Sequence, residues 1–482
     1  MSPAPKHPIR VLQFGEGNFL RAFVDYMIDI ANEKGIFDGS IVLVKPLPLG
    51  ALNPAFAEQD CRYTVILRGL VDGKPVERSR IITSVCDAVN PYQEYDRYND
   101  YAKLDTLRFI VSNTTEAGIV LDESDSLDAC PPRSYPGKLT KFLFERAVHF
   151  DYAEDKGLII LPVELIDDNG IMLRQCVKAL AKTWKLGERF EKWLDAACVF
   201  TSTLVDRIVT GYPREEAEAI WQKLGYQDKL VDTAEPFGLW VIESPRDISK
   251  ELPLPEAGLP VIFTDNQKPY KQRKVRILNG AHTSFVPMAF QCGHDIVLEA
   301  MNDPLILSFM EHTLQDEVIP TLDLPKGDLT AFAEAVKNRF ANPFIKHRLL
   351  SICLNSVSKW RARCLPSLLG YVERKGTLPA RLTFSLAALM ALYHGGKLED
   401  GKLHCMRAGE PYELQDDAAA LEFFATTSSQ APSEQVRAFL SREDFFGQDL
   451  TKIDGLVESV SVSLEEILKR GMKTVLAERF PL

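Results

Sequence analysis

Three polar side chains in the second half of the chain have the types and the spacing needed for proton transfer at a carbonyl group. Lys274, Asn279 and His282 lie in one stretch of helical character, KVRILNGAH. In a regular α-helix Asn279 lies about 140° and His282 about 80° around the axis from Lys274, so all three can line one side. A lysine whose pKa is lowered by burial and by neighbouring cations can donate and accept a proton near neutral pH. An asparagine amide can stabilise an alkoxide, and a histidine can position a hydroxyl group.

The same stretch also has a plainer interpretation. Lys271, Arg273 and Arg276 make its start basic, which is typical of a solvated helix end or of a surface that attracts an anion. In that interpretation the helix breaks at Asn279-Gly280, and His282 is a satisfied core residue. The residue types alone leave both interpretations open.

A second candidate site lies near the N-terminus. The apolar run Ile9 to Phe14 leads directly into GEGNFLRA, and a helical pattern follows to about Glu33. Glycine lets a backbone turn tightly and approach a pyrophosphate, and a helix N-terminus supplies hydrogen-bond donors. The third glycine of the G-x-G-x-x-G pattern is missing, so a simple strand-to-helix turn is the alternative to nucleotide binding.

The type of nucleotide is left open by the next strand. It ends in Leu43-Val44-Lys45-Pro46, without the acid that would bond the ribose 2'-hydroxyl of NAD. Lys45 either favours the 2'-phosphate of NADP or is simply solvated.

The elements that must position these residues fall into two groups. The first half alternates helical patterns with apolar runs typical of parallel strands that are buried on both faces. These runs are 9–14, 40–44, 107–112 and 158–163. Between the second and the third, the stretches 63–67 and 76–85 flank Asp72-Gly73, which predicts a hairpin added to the sheet.

The run 261–264 is one more strand pattern near the boundary, and after about residue 265 such patterns become scarce. Helical periodicity dominates the stretches 328–339, 345–362, 379–393 and 463–479. We therefore predict an α/β Rossmann-like N-terminal domain, with a mainly parallel sheet and a hairpin insertion, and a mainly α-helical C-terminal domain. Residues 1–268 form the predicted dinucleotide-binding domain, and residues 269–482 form the predicted substrate-binding and catalytic domain.

Composition excludes several classes of protein. The formal net charge of -11 argues against a nucleic-acid or anionic-membrane surface, since both select basic residues. No stretch approaches the roughly 20 apolar residues that span a bilayer, and MSPAPKHPIR lacks the apolar run of a signal peptide, so we expect a cytoplasmic protein. Nine cysteines without C-x-x-C pairs, together with the lack of H-E-x-x-H, predict no metal site.

Six segments, in their order along nearly the whole chain, resemble the polyol-specific long-chain dehydrogenase family, which includes mannitol dehydrogenase. Together they are more specific than any one alone. The segments are QFGEGNFLRAF (13–23), SNTTEAG (112–118), PVELIDDNG (162–170), STLVDRI (202–208), KVRILNGAH (274–282) and NSVSKWRARCLPSL (355–368). The resemblance implies NAD(H) as cofactor, a small sugar-derived substrate and catalysis without a metal.

The resemblance also assigns roles to single positions. It implies that Lys274 is the general acid and base, and that Asn169 and Asn279 form an oxyanion-stabilising pair. His282 is expected to bind substrate, and Asp206 and Lys359 match family positions near the substrate. The positions expected on the cofactor side are Phe14, Gly15, Gly17, Asn18, Phe19, Arg21, Thr115 and Glu116.

Two positions depart from the pattern of the mannitol dehydrogenases. Ser351 stands where they carry an arginine, eight residues before Lys359, and Lys271 replaces a glutamate. A cation in place of an acid suits a carboxylated sugar, because a glutamate would repel it. The charge therefore favours a uronate over a neutral polyol. The resemblance implies reversible, NAD-dependent reduction of tagaturonate to altronate. Arg361 and Arg363 are candidates for holding the carboxylate, although an exposed helix face explains them equally well.

The sequence is also compatible with two other functions. The first is a mannitol or fructuronate dehydrogenase of the same family. The second is a nucleotide-binding regulatory protein without turnover, in which the helical half is a partner surface.

Overall fold

The computed structural model describes residues 7–115 and 117–482. It divides into two compact units. The N-terminal unit contains the residues up to Gly69 and Pro75–Gln267, and the C-terminal unit contains Leu70–Lys74 and Lys268–Leu482. Glu116, one of the predicted cofactor residues, lies outside the described residues.

The N-terminal unit alternates strands and helices. Its strands are β1 (Ile9–Phe14), β2 (Ser40–Val44), β3 (Tyr63–Val71), β4 (Lys74–Ile82), β5 (Val85–Val89), β6 (Phe109–Ser112), β7 (Ile159–Pro162), β8 (Val199–Phe200), β9 (Ser202–Asp206), β10 (Val209–Gly211), β11 (Asp232–Ala234), β12 (Leu239–Glu243) and β13 (Val261–Thr264). Its helices are α1 (Asn18–Leu20), α2 (Tyr26–Glu33), α3 (Ala55–Glu58), α4 (Tyr95–Asp100), α5 (Tyr135–His149), α6 (Asn169–Thr183), α7 (Glu188–Ala197) and α8 (Ala217–Leu224). A π-helical turn, Arg21–Asp25, joins α1 to α2.

The main sheet has six strands in the order β5-β2-β1-β6-β7-β8, and all of its neighbouring strands are parallel. This is the strand order of a dinucleotide-binding fold, in which the order reverses beside the first strand and a crevice opens at the carboxyl ends. Apolar clusters cover both faces: Phe23 and Met27 lie on one, and Phe14 and Leu139 on the other. The Rossmann-like prediction is confirmed.

The predicted hairpin exists, but its sheet was predicted wrongly. Asp72 and Gly73 both have positive φ, 50° and 71°, as the tight turn of a two-residue hairpin requires. However, β3 and β4 belong to a separate four-stranded sheet, β10-β11-β3-β4, because β3 pairs with β11. The end of the predicted second arm is instead β5, an edge strand of the main sheet.

The C-terminal unit is mainly helical, as predicted. Its helices are α9 (Lys268–Arg273), α10 (Gly280–Gln291), α11 (Val297–Asn302), α12 (Pro304–His312), α13 (Lys326–Phe340), α14 (Leu349–Ile352), α15 (Ser356–Arg363), α16 (Leu365–Lys375), α17 (Ala380–Tyr393), α18 (Ala418–Thr427), α19 (Pro432–Leu440), α20 (Glu443–Phe446), α21 (Leu456–Arg470) and α22 (Met472–Arg479). A small antiparallel sheet contains β14 (Lys397–Glu399), β15 (Lys402–Arg407) and β16 (Glu410–Leu414).

The core of this unit forms around α17, whose residues from Leu382 to Tyr393 are all buried. A helix that is apolar on every side must be surrounded by other elements. The prediction of one helix over 345–362 was wrong, because Asn355 adopts a left-handed conformation with φ 54° and separates α14 from α15. Over residues 7–115 and 117–482, no helix has both the length and the apolar character needed to cross a membrane.

Candidate functional site

The two glycines after β1 differ in what surrounds them. Gly15 has φ 136°, and a Cβ there would lie 2.9 Å from Leu20 Cδ1 and 3.0 Å from the carbonyl oxygen of Asn113. Only glycine fits without strain. A Cβ on Gly17 would meet no described atom within 4 Å, so the turn leaves open space at the start of α1. The geometry therefore fits a phosphate-bearing ligand, which approaches the backbone at this position of the fold.

Two of the predicted cofactor residues turn inward. The ring of Phe14 is fully buried and packs against Tyr98 and Tyr135. The guanidinium of Arg21 is buried in the π-helical turn, where Nη1 donates to the Leu230 carbonyl at 2.5 Å and Nη2 donates to Asn18 Oδ1 at 2.5 Å. Both side chains thus support the turn from beneath and are not presented to a ligand.

The other predicted positions near the turn are more open. Asn18 is exposed, and Phe19 is half-buried and stacks on Phe23 with 5.0 Å between ring centroids. Thr115 is also exposed. It follows Asn113, whose backbone N–H donates to the Phe14 carbonyl at 3.0 Å. The loop after β6 therefore begins next to the glycine turn, at the point where the strand order reverses.

Sequence reasoning missed an acidic cluster beneath Arg21. Tyr63 Oη donates to Asp25 Oδ2 at 2.6 Å, and Asp232 Oδ2 lies 3.9 Å from Arg21 Nη2. Burial raises the pKa of Asp25 and that of Asp232 to about 7. Nothing in the local sequence indicates this cluster, because its members lie on the π-helical turn Arg21–Asp25, on β3 and on β11, which are far apart in the chain.

Glu164 is a second residue that sequence reasoning did not single out. Its buried carboxyl accepts hydrogen bonds of 3.0 Å from Ser112 Oγ, Thr114 N and Thr114 Oγ1. Burial raises the pKa of this carboxyl. The contacts tie the carboxyl end of β6 to that of β7, so Glu164 fixes the loop that carries Thr115.

Asn169 is placed at the start of α6 and is completely buried. Its Nδ2 donates to the carbonyl oxygens of Pro162, Glu164 and Thr203 at 3.0 to 3.1 Å, and its Oδ1 accepts from the N–H groups of Gly170 and Thr203 at 2.9 Å. An amide nitrogen carries two hydrogens. Both are therefore engaged by the backbone, which argues against the predicted direct contact with an oxyanion.

Lys45 lies at the end of β2 and is buried rather than solvated. Its Nζ lies 3.4 Å from Glu16 Oε1, between the two glycines of the turn. A lysine paired with a carboxylate has less charge to offer a second anion. Asp206 is buried as the last residue of β9, where it pairs in register with Leu239.

Lys274 and Asn279 lie in a π-helical turn, Lys274–Asn279, that joins α9 to α10. The angles expected for a regular α-helix therefore do not apply, because a π-turn holds more residues than an α-turn. The interpretation of Asn279-Gly280 as a break was also wrong, since Gly280 has φ -65° and continues the helix. π-turns inside α-helices are frequent at functional sites.

The three polar residues of this stretch have different surroundings. Lys274 and Asn279 are half-buried. Within residues 7–115 and 117–482, the side-chain amide of Asn279 has no hydrogen-bond partner, in contrast to that of Asn169. His282 stacks on Phe340 with 3.9 Å between ring centroids, and its Nε2 is buried without a hydrogen-bond partner among the described residues.

Lys359 lies on α15, one helical turn before Arg363. Its Nζ donates to the Ile352 carbonyl at 3.0 Å, and burial is the main cause that lowers its pKa. The same helix is thus tied to α14, which carries Ser351. Over the described ranges, no group of three or more histidine, cysteine, aspartate or glutamate side chains could hold a metal ion.

Two family models match the chain. The model described as the mannitol dehydrogenase Rossmann domain matches residues 9–256, and the model described as the mannitol dehydrogenase C-terminal domain matches residues 266–468. Among solved structures, the Pseudomonas fluorescens mannitol 2-dehydrogenase ternary complex with NAD and D-mannitol covers 99% of this chain and 96% of its own, with a TM-score of 0.64 and 22% identity. The match to a substrate-free D-sorbitol dehydrogenase covers 97% of this chain and 95% of that dehydrogenase, with a TM-score of 0.78 and 21% identity.

Curated relatives are more similar in sequence. An altronate oxidoreductase of Pectobacterium carotovorum subsp. carotovorum (strain PC1) is 49% identical over 478 residues, which is 98% of this chain and 97% of the relative. An altronate oxidoreductase of Escherichia coli O139:H28 (strain E24377A / ETEC) has the same identity and coverage. The chain therefore belongs to the mannitol dehydrogenase family and is an oxidoreductase acting on CH–OH groups.

Proposed function

We propose that this protein reduces D-tagaturonate to D-altronate with NAD(H) as cofactor, and catalyses the reverse oxidation. The observation that carries the proposal is the 49% identity, over 98% of the chain, to proteins named altronate oxidoreductase. The replacement of an acidic residue of the mannitol dehydrogenases by Lys271 supports a carboxylated substrate over a neutral polyol.

The N-terminal unit holds the cofactor at the glycine turn. Gly15 sets the turn, Gly17 leaves the space at the start of α1, and Asn18 and Phe19 border that space. Phe14 and Arg21 act by positioning the turn, and Thr115 lies in the loop after β6 that begins next to it. Glu116 is kept as a cofactor residue on the family resemblance alone. When bound, NADH supplies the hydride that adds to the substrate carbonyl carbon. The pairing of Lys45 with Glu16 supports NAD(H) over NADP(H), because the paired lysine attracts a 2'-phosphate less strongly.

The C-terminal unit supplies the proton. In the reducing direction the ammonium group of Lys274 donates a proton to the substrate oxygen as the carbon–oxygen double bond becomes a single bond, and in the oxidising direction the amine takes it back. Asn279 donates a hydrogen bond to the same oxygen, for which its amide is available. His282 and Lys359 are the proposed substrate-binding residues of this unit, and Asp206 is the proposed substrate-binding residue of the N-terminal unit.

Asn169 has a different role from that implied by the family resemblance. We propose that it is a positioning residue, which fixes the junction between β7 and α6 through its backbone hydrogen bonds. The proposed domain roles follow from these assignments: residues 1–268 bind the dinucleotide, and residues 269–482 bind the substrate and carry the acid–base group. The cytoplasm remains the proposed compartment, on the composition of the chain.

A substrate panel with purified protein tests the proposal. NADH absorbance falls fastest with tagaturonate, more slowly with fructuronate, and least with fructose, and NADPH is the poorer cofactor. The variant Lys274→Ala loses at least roughly a hundredfold of kcat, the usual contribution of a positioned acid or base, and keeps the thermal midpoint of the wild type. A higher kcat/KM for fructose or fructuronate overturns the substrate, and NADH binding without turnover of any keto sugar supports a regulatory protein instead.

A further inference from the structure

A cluster of basic side chains lies around His282 within the C-terminal unit. We call it the His282 cluster, and it consists of His282, Arg339, His347, Lys359 and Arg363. His347 lies edge-on to His282, with 5.5 Å between ring centroids. Arg363 Nη1 lies 3.3 Å from Oγ1 of Thr283, the residue after His282. Helices α10, α13 and α15 and the residues before α14 all contribute to the cluster.

Two members of this cluster, Lys359 and Arg363, form no ion pair with an acid among the residues that the structure describes. Burial lowers the pKa of His282 well below its usual value, and the positive charges of His347, Arg363, Arg339 and Lys359 lower it further. The acid that faces Lys359 is Asp416, but its Oδ2 already accepts from Tyr393 Oη at 2.5 Å and from Val357 N at 3.1 Å. Cations held together in partly buried surroundings repel one another unless an anion binds between them.

The structure also separates the two arginines of α15. Arg361 is exposed and reaches the Asp444 carbonyl at 3.4 Å. Arg363 is half-buried against α10, where its own carbonyl oxygen lies 3.3 Å from the position of a Cβ on Gly280. Lys359 and Arg363 stand four residues apart and therefore share one face of the helix. Only Arg363 of the two arginines lies beside His282.

We infer that Arg363, with Lys359, binds the carboxylate of the sugar acid substrate next to His282. This inference rests on the proposed function and names the group that gives it specificity. A guanidinium has five N–H donors and can bond both oxygens of a carboxylate. The bond to Thr283 uses one donor and holds the planar group in place. The buried, unpartnered Nε2 of His282 is available to a hydroxyl group of the same ligand.

The test compares two arginines of one helix. Arg363→Met raises the KM for tagaturonate roughly tenfold to a hundredfold, as expected for the loss of a hydrogen-bonded charge pair, while kcat changes little. The kcat/KM ratio of tagaturonate to tagatose, which lacks the carboxylate, falls by a similar factor. Arg361→Met, the matched control, leaves both quantities within about twofold of the wild type, since exposed charges contribute little.

A second variant at the same position provides the test if Arg363→Met does not fold. Arg363→Gln keeps a polar side chain with N–H donors but loses the charge and the bidentate geometry of the guanidinium, so it raises the KM for tagaturonate to a similar extent. An unchanged KM and ratio in a folded Arg363 variant overturns the carboxylate assignment, and so does an equal effect of Arg361→Met. A wild-type protein that does not reduce tagaturonate overturns the proposed function itself, so the two failures are distinguishable.

Discussion

At the scale of single residues, two buried aspartates one helical turn apart have opposite surroundings. Asp29 Oδ1 accepts from Thr83 N at 2.7 Å and Ser84 N at 3.1 Å, and its Oδ2 lies 2.6 Å from Arg80 Nε. Asp25 Oδ2 accepts from Tyr63 Oη, and its Oδ1 has no hydrogen-bond partner among the described residues. A buried carboxyl with so few donors favours its neutral form.

We therefore predict that Asp25→Asn stabilises the protein above pH 7. Burial raises the pKa of Asp25 from 3.8 to about 7. Between these values the unfolded chain has released the proton that the folded chain keeps, so the free energy of unfolding falls as the pH rises through this window. Asparagine is neutral throughout and can still accept from Tyr63. The gain in thermal midpoint over the wild type is larger at pH 8 than at pH 5.

Asp29→Asn is the matched control on the same helix. Because it breaks the pair with Arg80, it lowers the free energy of unfolding by about 1–3 kcal/mol at both pH values. Equal losses at pH 5 and pH 8 in both variants would contradict the proposed ionisation of Asp25.

At the scale of elements, both candidate sites interrupt a helix with a π-turn. The first, Arg21–Asp25, turns Arg21 inward beneath the glycine turn. The second, Lys274–Asn279, begins with the proposed acid–base residue and ends with the proposed hydrogen-bond donor to the substrate oxygen. Residue periodicity located both helices. It missed the π-turns, because a single wider turn shifts the apolar pattern only once and leaves helical periodicity on either side.

In the glycine turn, Gly15 is required by the fold, whereas we predict that Gly17 is required for cofactor binding. Gly15→Ala places a methyl group against Leu20 and Asn113 at positive φ, so it lowers the thermal midpoint even without cofactor. Gly17→Ala meets no described atom and keeps the midpoint, but weakens NADH binding at least roughly tenfold, because the methyl group enters the space of the dinucleotide. NADH fluorescence titration measures this. Wild-type affinity in Gly17→Ala would show that this space is not used.

At the scale of the whole molecule, cofactor binding and stability are linked. NADH at about 100 times its Kd adds about 2.7 kcal/mol to the stability of the unit that binds it. The thermal midpoint of that unit therefore rises by several degrees, while the same concentration of NADPH raises it less. Differential scanning calorimetry, with Gly17→Ala as the control of impaired binding, measures the rise. An equal rise with both nucleotides would contradict the proposed role of the Lys45–Glu16 pair.

The sequence alone determined the two-part organisation and the family. Buried strands such as β1 and β6 read as continuous apolar runs, and GEGNFLRA follows β1 directly, so local pattern was sufficient. The local pattern could not show which strands pair when they are distant in the chain. The hairpin of β3 and β4 joined a separate sheet because β11, more than a hundred residues later, pairs with β3.

The tertiary structure alone decided which side chains are available to a ligand. The sequence placed Phe14, Arg21 and Asn169 among the functional residues, but burial and backbone hydrogen bonds commit all three to support of the fold. It left Arg361 and Arg363 equivalent, and only the packing of α15 against α10 sets them apart. The physical reason is that residue type and spacing determine which interactions a side chain is able to make. Its neighbours in the folded chain determine whether it is still available to make them with a ligand.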